Sequence, residues 1–408
     1  MSTPAAERLP LEGRRVVLGV TGSIAAYKAA ELCSKLRQAG AAVEVVMTAA
    51  ATRFITPLTF QSLSGAAVVD DMFAAAEPEA HVEVARRSDL LVIAPATADC
   101  LANLAHGAAP DMVALTALAM GGKPVVLAPA MDAAMWEHPA TQANAALLRE
   151  RGAVFVGPEV GRLASGRIGS GRMAEPAVIA EAVRWVLGQR FGDLAGRRVV
   201  VSAGPTYEPL DPVRFVGNRS SGKMGFAIAE AARDRGAAVT LVTGPVSLPT
   251  PWGVERRNVE TAVAMLEALR EAVENADALV MAAAPADFRP AEAAPRKIKK
   301  HEGMEGLTVE LVKNPDILAS LRGPRVRVGF AAETHDLAEN AVAKLRAKRL
   351  DFIAANDVTR TGSGFGTDTN QVTIFWDDGR VEELPLLSKY SVGMAILDRV
   401  AARLARTP

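Results

Sequence analysis

The sequence predicts an α/β protein made of two doubly wound, mostly parallel-sheet, Rossmann-like domains, and three observations carry that prediction. The chain has 408 residues, more than one ordinary domain of roughly 100–200 residues holds. Its apolar segments are short continuous runs, the pattern of strands covered on both faces. The same succession of strand, glycine loop, helix and strand also occurs twice.

RRVVLGVTG from Arg14 is a β-branched run ending in glycine. AAYKAAELCSKLRQAG then places Ala26, Ala29, Leu32, Leu36 and Ala39 at helical spacing, with Gly40 as cap. AAVEVVMTAA is the next strand, so residues 14–48 form one βαβ unit. Arg197 restarts the pattern: RRVVVSAGP, FAIAEAARDRG with capping Gly236, and AAVTLVTGP. SDLLVIAPATAD at 88–99 matches ADALVMAAAPAD at 276–287, and PVVLAPAMD at 124–132 matches RVGFAAETHD at 327–336. The first strands are 183 positions apart and the capping glycines 196, so thirteen extra residues separate strand from helix in the second half. They fall in PTYEPLDPVRFVGNRSSGK, whose turn formers and polar groups predict a substrate loop outside the core. The boundary is expected near 188–196, where the helix VIAEAVRWVLGQ gives way to FGDLAG, which makes the domains 1–190 and 191–408.

Composition narrows the function. With 46 basic and 46 acidic residues the chain has no excess of cations for a nucleic-acid backbone. Cys33 and Cys100 lack CxxC spacing, which argues against a disulfide framework or a cysteine zinc site and fits a reducing cytoplasm. No apolar stretch of about 18 residues or more is present, and the first residues lack an apolar signal core, so neither membrane spanning nor secretion is expected.

The loop Gly19-Val20-Thr21-Gly22-Ser23 offers backbone N–H groups and a positive helix end, which suit a phosphate, although a plain Ser-capped turn would read the same. It lacks GxGxxG, and MTAA stands where a ribose-binding acid would end the second strand, so a mononucleotide is favoured over a nicotinamide dinucleotide. Small residues and prolines at 94–99 and 128–132 let a flat ring approach the backbone. TGSIAAYK, HVEVARRSDLLVIAPATAD, PAMDAAMWEHPATQAN and GSGRMAEP together resemble the flavoprotein half of the bifunctional phosphopantothenoylcysteine decarboxylase/phosphopantothenate–cysteine ligase family of coenzyme A biosynthesis. The likeness covers nearly the whole chain.

That resemblance implies a flavodoxin-like domain in which FMN oxidises the cysteinyl thiol, carbon dioxide leaves and the ene-thiol is reduced back. It implies Gly22, Ser23, Thr48, Ala96, Thr97 and Met131 around FMN, the first three towards its phosphate, and His81 as the imidazole that takes the thiol proton. Three positions depart from the family pattern. Asp132 stands where an asparagine that holds the substrate carboxylate is common, and Ala164-Ser165-Gly166-Arg167 replaces Ala-Cys-Gly-Asp in the substrate flap. Ser165 should be a poorer acid than the cysteine it replaces, and an ionised Asp132 would repel a carboxylate. The expectation is that the closing flap brings Arg167 onto Asp132 or the substrate. The alternative is a ligase-only protein with an impaired flavin half.

In the second half, Asn218-Arg219-Ser220-Ser221-Gly222-Lys223-Met224-Gly225 places hydroxyls, a glycine and two cations at a helix start, without being Walker A because Met follows Gly222-Lys223. AAAPADFRP, Lys297-Ile298-Lys299-Lys300, Lys313-Asn314-Pro315-Asp316, GFAAET, and Lys344 with Lys348 one turn on follow in order. As a set they are similar to the ligase motifs of the same family. The implied chemistry activates the carboxylate of 4′-phosphopantothenate with CTP as an acyl-cytidylate, after which cysteine's amine displaces CMP, with lysines and Mg²⁺ neutralising the phosphates. The resemblance assigns Asn218 to the acyl-cytidylate and Lys297 to the triphosphate. Ala282, Ala283, Asp287, Pro315, Asp316, Ile317, Leu318, Phe330, Lys344 and Lys348 then line the nucleotide, with Asn356-Asp357 ranked lower. It also implies a homo-oligomer with trimeric flavin halves and dimeric ligase halves. Two rivals from other classes fit less well: a redox module leaves Asn218 and the lysines unexplained, and a dehydrogenase lacks its glycine fingerprint.

Overall fold

The computed structural model describes residues 8–72, 79–299, 305–333, 335–357 and 366–406, together with 362 and 364. Lys300, Thr334 and the side chain of Asp357 lie outside the described residues. The chain forms two compact units, Leu9–Leu187 and Gly188–Pro408, the second also taking in Arg8.

In the first unit, strands β1 (Arg15–Val20), β2 (Ala42–Met47), β3 (Val68–Val69), β4 (Leu90–Ala96), β5 (Val125–Pro129) and β6 (Val154–Phe155) form one sheet. Its order is β3-β2-β1-β4-β5-β6 and every pairing is parallel. The continuous apolar runs have the expected cause, since all seven residues of β4 and five of the six in β1 are buried. The helix Ala26–Gln38 buries Ala26, Ala29, Leu32, Cys33 and Leu36 on its sheet-facing side. Gly40 follows at φ +98°, where a Cβ would sit 2.9 Å from that of Leu9. Strands β7 (Glu159–Arg162) and β8 (Ile168–Arg172) form a separate antiparallel hairpin.

In the second unit the sheet comprises β9 (Arg198–Ala203), β12 (Ala238–Thr243), β13 (Glu255–Asn258), β14 (Ala278–Met281), β17 (Val326–Glu333), β18 (Phe352–Asp357), β20 (Thr373–Trp376) and β21 (Val381–Glu383). The order β13-β12-β9-β14-β17-β18 repeats that of the first unit and is parallel throughout, while β20 and β21 extend it antiparallel. Both faces are covered. Val199, Val201 and Ala203 of β9 pack in one core with the helices Lys223–Asp234 and Lys389–Arg406. Val200 packs in the other, with the helix Ala262–Val273. Each such buried valine stabilises the fold by about 1.5–3 kcal/mol. Smaller pairs are β10 (Tyr207–Pro209) with β11 (Phe215–Gly217), β15 (Phe288–Pro290) with β16 (Leu311–Lys313), and β19 (Thr369–Asn370) with β22 (Leu387–Ser388).

The insertion is more ordered than its composition suggests, because β10 and β11 lie within it. The rings of Tyr207 and Phe215 stack at 3.7 Å. Glu208, only 1% exposed, accepts the Ala262 N–H at 2.9 Å and so caps the helix Ala262–Val273. Asp211, 2% exposed, accepts the N–H groups of Val213 and Arg214 and pairs with the Arg214 guanidinium. The expected substrate loop is therefore a hairpin keyed to the core by polar contacts. Among the described residues no helix is long and apolar enough to cross a membrane. Both cysteines are buried and unpaired, and burial pushes the Cys33 thiol up to about 11.

Candidate active sites

In the first unit the strand order reverses between β1 and β4, which opens a crevice beyond their carboxyl ends. Gly22 and Ser23 follow β1, Thr48 follows β2, Ala96 closes β4 with Thr97 next, and Met131 and Asp132 follow β5. The flavin residues expected from sequence thus sit at the ends of four neighbouring strands. A Cβ on Gly22 would lie 2.5 Å from that of Ala50, so glycine lets the loops after β1 and β2 touch. The Ser23 hydroxyl accepts the Ala25 N–H at 3.2 Å, Thr48 accepts Ala51 at 3.1 Å and Thr97 accepts Cys100 at 3.2 Å. Each hydroxyl keeps its own proton to donate. The N–H groups of Gly22 and Ile24 have no acceptor among the described residues, and they lie at the positive end of the helix Ala26–Gln38. Unspent amides, hydroxyl donors and a helix start fit a phosphate.

Sequence reasoning missed Thr21. Buried at 2% exposure, its hydroxyl donates to the Pro95 carbonyl at 2.7 Å and accepts the Thr97 N–H at 3.3 Å, which fastens the end of β1 to that of β4. Lys28 was also missed. It is nearly buried and reaches Glu175 at 3.0 Å and the Met173 carbonyl at 3.4 Å, and its hydrogen bond draws the Glu175 carboxyl below the ordinary range despite some burial. His81 is the second residue of the helix Ala80–Arg87, half-buried and with no side-chain hydrogen bond among the described residues. That helix ends just before β4 begins, so His81 starts it on the carboxyl-end side of the sheet.

The β7–β8 hairpin leans on the end of β5. Met131 donates its N–H to the Gly171 carbonyl at 3.0 Å, and Gly171 has φ +150° and no room for a Cβ, which would stand 2.3 Å from the Met131 oxygen. Asp132 caps the helix Ala133–Glu137 through the Ala134 N–H at 3.1 Å and accepts the Ser165 hydroxyl at 2.9 Å. Those two bonds, against slight burial and with help from the Arg167 charge, hold the Asp132 carboxyl below its usual range. Among the described residues the side-chain contact to Asp132 is made by Ser165, two residues before Arg167, which forms no ion pair with Asp132.

In the second unit a cavity of about 970 Å³ opens where the order reverses, between β9 and β14. Asn218, Ala282, Ala283, Asp287, Pro315, Asp316, Ile317, Leu318, Phe330, Lys344, Lys348 and Asn356 all line it. The Asn218 amide donates to the carbonyls of Ala284 at 3.2 Å and Pro285 at 2.9 Å, which leaves its oxygen as the atom still able to accept. Lys348 pairs with Asp316 at 3.1 Å. Burial resists ionisation of Asp316, but the Ala319 N–H and the Lys348 ammonium outweigh it, and the carboxyl lies below its usual range.

Arg219, Lys223, Lys313 and Lys389 also line the cavity. Lys223 pairs with Asp368 at 2.7 Å. Lys389 was the least expected. It begins the helix Lys389–Arg406, the end where the helix dipole disfavours a cation, and is 6% exposed with its ammonium on the carbonyls of Gly364 and Thr367. Burial, with Lys223 nearby, draws its pKa down. That conflict was a legible signal. Lys297, by contrast, is exposed and does not line the cavity. Its segment is tied instead to the β10–β11 turn, where the Ile298 N–H reaches Asp211 at 3.1 Å and the Ile298 carbonyl accepts from Arg214 at 2.7 Å. Among the described residues no cluster of three metal-binding side chains occurs.

Residues 4–188 match the family described as Flavoprotein, and residues 194–404 match the DNA/pantothenate metabolism flavoprotein C-terminal domain. The coenzyme A biosynthesis bifunctional protein CoaBC of Escherichia coli (strain K12) is 47% identical over 405 residues, covering 97% of this chain and 98% of its own length. That of Bacillus subtilis (strain 168) is 46% identical over 399 residues, covering 96% and 98%. Among solved structures, a mutant PPC decarboxylase complexed with pantothenoylaminoethenethiol is 33% identical, with a TM-score of 0.39, and covers 42% of this chain and 96% of that one.

Proposed function

Because the chain belongs to the family of bifunctional proteins of coenzyme A biosynthesis, we propose that residues 191–408 join cysteine to 4′-phosphopantothenate with CTP and that residues 1–190 decarboxylate the product with FMN. The observation that carries the reading is the cavity at the second switch point, which gathers Asn218, Arg219 and five lysines around two carboxylates. A carboxylate attacking a phosphorus while pyrophosphate leaves accumulates negative charge, and fixed cations in a partly buried site stabilise it without a side-chain nucleophile. The Asn218 oxygen is the acceptor for the amine or amide of the acyl intermediate. Mg²⁺ would arrive on the nucleotide phosphates.

In the first unit, FMN would supply the electron sink for loss of carbon dioxide. Gly22, Ile24, Ser23 and Thr48 would hold its phosphate by N–H and O–H donors, Ala96, Thr97 and Met131 would border its ring, and His81 would take the substrate's thiol proton. The exposure of Lys297 outside its own cavity supports a second copy as the owner of the site it completes, and hence dimeric ligase halves. The site of action is the cytoplasm, where both buried thiols stay reduced.

The deciding experiment supplies 4′-phosphopantothenate, cysteine, CTP and Mg²⁺ to the purified protein. Pyrophosphate release that needs 4′-phosphopantothenate to start and cysteine to continue beyond one turnover, followed by carbon dioxide and phosphopantetheine, is the expected result. Accumulation of phosphopantothenoylcysteine alone removes the decarboxylase half, and absence of pyrophosphate removes the ligase half.

A further inference from the structure

The β7–β8 hairpin touches the end of β5 in two places of different kinds. At its base the contact is backbone: the Met131–Gly171 hydrogen bond, and Gly169, whose Cβ would lie 2.7 Å from that of Ala133. The turn at its tip is closed on itself, with the Leu163 N–H on the Arg167 carbonyl at 2.8 Å and the Gly166 N–H on the Leu163 carbonyl at 2.9 Å. Val160 and Ile168, 74% and 81% exposed, add no apolar grip along its strands, and Leu163 at the start of the turn is the apolar side chain there that is buried. The Ser165–Asp132 hydrogen bond, at 2.9 Å, ties this preformed tip to the strand end.

We infer that Ser165 and Asp132 form a latch holding the hairpin tip over the carboxyl end of β5, so that both are positioning residues for decarboxylation and neither gives a proton to the substrate. A serine has one proton, and here it is committed to a carboxylate. That carboxylate is ionised at neutral pH, as an ordinary aspartate is, and the Ala134 N–H and the Ser165 hydroxyl favour the anion further. A charged acceptor makes the bond stronger than a neutral pair would. The inference rests on reading the first unit as the decarboxylase.

The test uses the full-length protein with its flavin and the variants Ser165→Ala, Ser165→Thr and Asp132→Asn. Brief trypsin treatment, with fragments identified by mass, gives the cleavage rate after Arg162 and Arg167 at the exposed hairpin. Loss of a charge-assisted bond raises that rate on the order of tenfold in Ser165→Ala, less in Asp132→Asn, and not in Ser165→Thr, which keeps the hydroxyl. In carbon dioxide release assays, Ser165→Ala raises KM for phosphopantothenoylcysteine and leaves kcat within about twofold, with threonine restoring KM. Wild-type cleavage rates in Ser165→Ala overturn the latch, as does a fall in kcat at constant KM, the mark of lost proton transfer. If the wild type releases no carbon dioxide, it is the decarboxylase reading that fails, and the cleavage comparison still decides the latch.

Discussion

Thr21→Val isolates the contact that closes the first crevice. Valine keeps the shape of the side chain and removes the hydroxyl, which leaves the Pro95 carbonyl and the Thr97 N–H without the partner they have at 2.7 and 3.3 Å. A buried polar group stripped of its partner costs about 1–3 kcal/mol. The carbonyl bond is short and buried and belongs at the upper part of that range, while the longer, half-buried amide bond belongs at the lower end, for a sum of about 3 kcal/mol. At about 2–4 °C per kcal/mol for a unit of this size, Tm should fall by about 6–12 °C. Flavin fluorescence during heating reports release from the first unit alone, so the second does not obscure the transition. Thr21→Ser, which keeps the hydroxyl and loses a methyl, should sit well above valine. A Thr21→Val protein that melts within about 2 °C of wild type, or below Thr21→Ser by nothing measurable, refutes the fastening role.

Three other outcomes follow from the second unit. Lys348→Met removes a cation from the cavity wall and should lower kcat/KM for CTP roughly 10- to 100-fold, the value of a charge-assisted contact; an unchanged value in pyrophosphate assays removes Lys348 from the site. Glu208→Ala leaves the Ala262 N–H uncapped and should cost about 2 kcal/mol, whereas Glu208→Gln, which retains an acceptor, should cost less than half of that in thermal melts. Asp211 titrates in a definite direction. Burial resists its ionisation, but Arg214 and the N–H groups of Val213, Ile298 and Arg214 outweigh it and hold its carboxyl well below the ordinary range. Its folded pKa being lower than its unfolded one, its stabilisation is complete above the unfolded value of about 3.9 and is lost only as pH falls towards the folded value. Hydrogen exchange at the Ile298 amide should therefore be equally protected at pH 6 and pH 5 after correction for intrinsic rates, and protection lost between them contradicts the assignment.

The sheets were legible because parallel strands announce themselves as unbroken apolar runs, and the crevice residues because a parallel sheet puts every strand end on one side. Thr21 was not. Its partners lie 74 and 76 residues away, and in VTG it reads as one more β-branched strand residue. The hairpin in the insertion was hidden by Pro209 and Pro212, which signal turns, while the buried Glu208 and Asp211 that order it look like solvated loop acids until the helix that Glu208 caps and the Ile298 amide that Asp211 holds are placed beside them. Ser165 and Asp132 were recognised one at a time; their bond depends on a hairpin folding back across 33 residues. Lys297 could be found by motif but not located, since nothing local says which cavity an exposed lysine serves.

The two cysteines acquire another meaning once the chemistry is in view. One proposed substrate, the intermediate and the final product all carry a free thiol, and an exposed thiolate on the protein would exchange with any disulfide they formed. Cys33 and Cys100 are the chain's only cysteines; both are buried, and burial keeps both protonated, while the flap position that bears a cysteine in the resembled family is Ser165. The protein therefore handles thiols while offering none. Sulfhydryl reagents added to a turnover mixture should count substrate and product alone, and oxidation of the small-molecule pool should slow catalysis by depleting substrate without leaving a mark on the enzyme.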